Sequence, residues 1–87
     1  MRLDDLDFKG QSGFRSFDLW RVAEIDRGAA HTIYVYQPTE SNSQQQQGHY
    51  AILCGKLDIG GEGAFTCIPP LQAQAIILGI LDGSIET

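Results

Sequence analysis

Apolar and polar positions in this chain divide into short β-type runs followed by one helical run. The stretch "HTIYVYQ" concentrates β-branched and aromatic residues, Thr32 to Tyr36, and predicts a strand. "FDLWRVAEID" supports two periods. Leu19, Val22 and Ala23 keep helix spacing, whereas Trp20, Val22 and Glu24 alternate with Leu19, Arg21, Ala23 and Ile25 as in a strand. The strand is preferred, because "DRGAA" can turn the chain into "HTIYVYQ". Pro38 ends that run, since proline donates nothing to a central ladder.

Residues 38–49, "PTESNSQQQQGH", contain no apolar side chain to fix them against a core and predict a mobile polar loop. The four glutamines read as part of a solvated insertion. A third strand is expected in "YAILCGKLD" and a fourth in "AFTCI", joined by a glycine-rich turn. Pro69 and Pro70 stop the sheet. "PLQAQAIILGILDG" then predicts a helix, with proline suited to its first turn and Gly83 to its close. The competing strand from Ala75 to Leu81, suggested by Ile76, Ile77 and Ile80, fits the length less well. Residues 1–16 read as an irregular or strand-like lead-in, interrupted by Gly10 and Gly13, whose Leu3, Leu6 and Phe8 can dock on the core.

The expected fold is therefore α+β: a small antiparallel sheet of about four strands with one C-terminal helix packed on a face, in a single domain spanning 1–87. At 87 residues such a domain buries only about 60 to 65 percent of its extended-chain surface. Self-association or partner binding could supplement its core.

Composition narrows the function. With 43% hydrophobic residues the chain should fold rather than remain disordered. Eleven acidic against six basic residues give a net charge of -5, and no basic cluster is present to neutralise several phosphates. Nucleic acid and anionic membrane are thus poor partners, and a basic protein is a compatible one. "MRLDDLDF" lacks the apolar core of a signal peptide, no run of about 18 apolar residues occurs, and a cytoplasmic location is expected.

The two cysteines, Cys54 and Cys67, bracket "GKLDIGGEGAFT". If Gly60 and Gly61 form the centre of a tight hairpin, Cys54 faces Cys67 at a non-hydrogen-bonded position, where a disulfide or redox pair could form in an oxidising medium. A longer turn or a bulge breaks that pairing, and buried reduced thiols need no special chemistry. His31 and His49 would complete a tetrahedral zinc set, but no Cys-x-x-Cys knuckle is present, so neither metal nor other cofactor is expected. "GGEG" lacks the lysine and hydroxyl of a phosphate-binding loop. Asp58 and Glu62, or Asp4, Asp5 and Asp7, supply carboxylates without a converging catalytic set.

The more informative pattern is in the C-terminal helix. Leu71, Ala73, Ile76, Ile77, Leu78, Ile80 and Leu81 spread over roughly 220° of its circumference, more than is needed to cover one side of a small sheet. Either the fold buries all of this arc, or part of it meets a second copy or another protein. Ile77 and Leu81, with the amphipathic aromatics Trp20, Tyr34 and Tyr36, are the candidate interaction residues. The expected function is that of a small acidic, non-enzymatic interaction or regulatory domain; the alternative is a thiol redox protein or enzyme using Cys54 and Cys67.

Overall fold

The computed structural model describes residues 2–14, 17–38, 49–61 and 67–87. Five antiparallel strands lie side by side in chain order: β1 (Lys9–Phe14), β2 (Phe17–Arg27), β3 (Ala30–Pro38), β4 (Ala51–Cys54) and β5 (Leu57–Ile59). One helix, α1 (Pro70–Asp82), follows. This is the α+β architecture expected from the sequence, with one α-helix among the described residues on one face of the sheet.

The ambiguous segment "FDLWRVAEID" is strand. Its alternation places Ala23 and Ile25 beside Val35 and Ile33 of β3, and all four are buried. Pro38 is the last residue of β3 and pairs with Trp20. The polar run 39–48 lies outside the described residues, as do residues 62–66 of the expected "AFTCI" strand. Of that strand's described residues, Cys67 is in no strand, and Ile68 forms an isolated antiparallel bridge with Tyr50.

The predicted strand "YAILCGKLD" is split in two. Its turn falls at Gly55 and Lys56, so Leu57 rather than Cys67 lies opposite Cys54. Gly55 has φ of 58°, a left-handed conformation that favours glycine. A Cβ there would also meet the His31 ring and come 2.6 Å from the Thr87 carbonyl oxygen. Packing explains the choice of turn: it sets Leu57 and Ile59 against the same core as Cys54 and Ile52, and leaves Lys56 exposed. A turn at Gly60 and Gly61 would instead have drawn Lys56 into the strand.

The main core lies between the sheet and α1. Ala23, Ile25, Ile33, Val35, Ile52 and Cys54 pack against Ala73, Ile77 and Ile80, with Leu3 and Ile68 at its margins. The N-terminal segment docks there as expected, through Leu3, Leu6 and Phe8. The Leu3 backbone N–H donates to Gln74 Oε1 at 2.8 Å, tying the lead-in to the helix.

Local chemistry sets the ends of α1. Pro70 occupies the first turn, where its missing N–H costs nothing, and the Ala73 N–H donates to the Pro69 carbonyl at 3.0 Å. Gly83, at φ of 87°, closes the helix, and its N–H donates to the Ile80 carbonyl. The Ser84 N–H then donates to Asp82 Oδ1 at 2.8 Å; hydrogen bonds from Ser84 hold that exposed carboxyl below its ordinary pKa.

Among the described residues, a second cluster occupies the opposite face of the sheet. Trp20, Ala51 and Cys67 are buried together there, with Tyr36 against them. The sheet is thus packed on both sides.

Candidate functional site

Helical phase divides α1 into two sides. Ala73, Ile77 and Ile80 turn inward and are 0 to 2% exposed. Leu71, Leu78 and Leu81 turn outward at 87%, 43% and 40%. At 100° per residue, Leu71 and Leu78 lie within about 20° of each other, and Leu81 within a further 60° or so. Ala75, also exposed, lies beside them. Three leucines and an alanine therefore form one outward stripe along a 13-residue helix, with no lysine, arginine, aspartate or glutamate between Leu71 and Leu81.

The residues singled out from the sequence fall into different environments. Leu81 belongs to the outward stripe. Ile77 is 1% exposed at the centre of the main core and Trp20 is fully buried in the second cluster, so neither can meet a partner unless the fold opens. Tyr34 and Tyr36 are half-buried on the face of the sheet away from α1. Their rings stack with centroids 6.5 Å apart, and Trp20 meets Tyr36 edge-on at 6.1 Å. Leu71 and Leu78 are the strongest outward residues of the apolar arc. The arc could not single them out, because composition does not reveal which side faces the sheet.

The cysteines are not a pair. Both are free and buried. Cys54 lies in the core beneath α1, where its Sγ accepts from Arg27 Nη2 at 3.3 Å and donates to the His31 carbonyl at 3.6 Å. Cys67 belongs to the Trp20 cluster across the sheet, and its Sγ donates to the Gly60 carbonyl at 3.6 Å. The facing arrangement required the turn at Gly60 and Gly61; the turn at Gly55 and Lys56 removes it. Burial pushes the Cys67 thiol pKa up, which suppresses the thiolate that redox exchange requires. Among the described residues, no three His, Cys, Asp or Glu side chains converge as a metal site.

Both thiols are therefore expected to react slowly with an aromatic disulfide reagent in the native protein, and rapidly once denaturant is added. Two fast native thiols would contradict the packing. Burial likewise raises the Tyr36 and Tyr50 hydroxyls. The sign of the pH dependence follows. Groups with raised folded-state pKa values contribute stability that is complete below their unfolded values, and lose it as pH climbs through the folded ones. The melting temperature should fall on the alkaline side, beginning near the ordinary thiol value of about 9.

Fold and surface together define a class: a small acidic α+β protein with an apolar stripe on the outer side of its one described α-helix. Comparison with protein-family models, with curated proteins and with solved structures gives no match. Among the described residues, no helix is long and apolar enough to cross a membrane.

Proposed function

We propose that this chain is a non-enzymatic interaction domain that binds a second copy of itself through the outward stripe of α1. The observation that carries the reading is the exposure of Leu71, Leu78 and Leu81 on one side of a helix whose other side is sealed. Grouped apolar side chains gain by leaving water together. The stripe carries no charge from Leu71 to Leu81, and its one carboxylate, the exposed Asp82, lies at the C-terminal end of α1, so two chains of net charge -5 can meet without opposing carboxylates at the centre of contact.

Size sets the strength. Thirteen helical residues extend about 20 Å, so two such stripes bury only a few hundred Å² per copy, against about 800 Å² in a standard interface. The association is therefore weak and concentration-dependent, of the kind a regulatory contact uses. Two buried, separated thiols agree with a cytoplasmic setting, where no disulfide is needed.

Sedimentation velocity across a dilution series tests the reading. The wild-type protein should sediment faster as concentration rises. A Leu71→Glu, Leu78→Glu double variant should remain monomeric throughout, with little change in melting temperature because both positions are exposed. A wild-type protein that stays monomeric at every concentration would sink the proposal.

A further inference from the structure

The face of the sheet away from α1 presents a different chemistry, independent of the helix stripe. Pairing register aligns Glu24 of β2, Tyr34 of β3, Leu53 of β4 and Asp58 of β5 in one cross-strand row. The adjacent row runs Lys9, Val22, Tyr36, Ala51. Tyr34 is thus stacked on Tyr36 along its own strand, with a carboxylate directly across from it on β2 and a second beyond Leu53. Beside this row is a shallow hollow of about 160 Å³ lined by Asp7, Lys9, Val22 and Glu24, the volume of about five waters.

Charge on this face is unbalanced. Among the described residues lining the hollow, two carboxylates, Asp7 and Glu24, accompany one ammonium, Lys9, and that ammonium is already 3.5 Å from Asp7. Arg27 is committed to the other side, where it donates to the His31 carbonyl and to Cys54. Glu24 is exposed and has no ion-pair partner among the described residues. Its field helps to raise the Tyr36 pKa, after burial and Tyr34, which agrees with a carboxylate close to the tyrosine pair.

We infer that this outer face docks a basic segment of a partner protein, with an arginine of that segment seated between Tyr34 and Glu24. A guanidinium stacks on a tyrosine face while its N–H groups reach a neighbouring carboxylate, and its aliphatic stem can lie on an apolar residue such as Val22. Lysine offers a compact charge without the planar fork and is the poorer match. Phosphate-bearing partners are repelled by the same carboxylates. The molecule then has two surfaces on opposite sides, one for its own copy and one for a basic partner.

The test is fluorescence anisotropy with a labelled arginine–glycine repeat peptide and its lysine counterpart. Wild-type protein should bind the arginine peptide more tightly. Glu24→Gln and Tyr34→Leu should each weaken that binding by roughly three- to tenfold, and Glu86→Gln, an exposed acid beyond α1, by less than about twofold. Equal losses from Glu24→Gln and Glu86→Gln would show general attraction of a polycation to an acidic protein and overturn the inference. So would unchanged affinity in a folded Tyr34→Leu variant, or no binding at all. If Tyr34→Leu lowers the melting temperature, the comparison of the two glutamine variants decides by itself. Sedimentation keeps the two surfaces apart: Glu24→Gln should leave self-association intact, and Leu71→Glu, Leu78→Glu should leave peptide binding intact.

Discussion

Ile77→Ala is expected to cost about 2 to 5 kcal/mol of folding stability, read as a lower urea midpoint with little change in slope. Ile77 is 1% exposed and belongs to the core that includes Val35 and Ile52, on a helix held at one end by Gly83 and tied to the lead-in through Gln74. Truncation removes three carbons, and a hydrogen-bonded sheet cannot readily collapse into the space. An 87-residue domain holds about 4 to 13 kcal/mol in total, so the variant should be marginal at room temperature. Leu78→Ala, one residue further along, should cost less than about 1 kcal/mol because that side chain is already 43% exposed. Equal losses at the two positions would mean that the helix is rotated from the orientation described here.

Trp20→Ala should be comparably severe, at about 3 to 5 kcal/mol, although it acts on the other side of the sheet. Trp20 is fully buried against Ala51 and Cys67, with the Tyr36 ring perpendicular to the indole, so truncation leaves a large gap in that cluster. A second readout follows from the same contacts. Removing the indole uncovers the Cys67 thiol, so native-state thiol modification should accelerate at Cys67 and stay slow at Cys54. Circular dichroism replaces fluorescence in following this variant, since Trp20 is the chain's only tryptophan. Because Trp20 and Ile77 belong to separate clusters, milder changes, Trp20→Phe and Ile77→Val, should add to within about 0.5 kcal/mol. Strong coupling between them would argue for one continuous core instead.

The elements themselves were largely legible. Strand alternation in "HTIYVYQ" and "FDLWRVAEID" and the proline-to-glycine frame of α1 are short-range signals, and each element forms where those signals lie. Docking of Leu3, Leu6 and Phe8 was legible too, since isolated apolar residues in a polar lead-in have few other places to go. The interaction surface was readable only as an excess of apolar arc. Leu81 lies on the exposed part of it, whereas Ile77 is sealed. The amphipathic Trp20 proved to be a core residue, because its size fills a pocket closed by Ala51 and Cys67.

By itself, the order of residues determined that strands come first and a proline-to-glycine helix last, that Thr32 to Tyr36 is strand, and that the helix carries a wide apolar arc. Those properties depend on backbone preference and on periods of two or 3.6 residues, which act over a few positions. Tertiary structure decided which glycine turns the fourth strand, which leucines face outward, and that the two thiols lie in separate clusters. Gly55 and the Gly60–Gly61 pair each permit a turn; the choice falls to the one that sets Leu57 and Ile59 against the core under α1. Such choices depend on what lies opposite a residue across the fold, and neighbours along the chain carry no record of it.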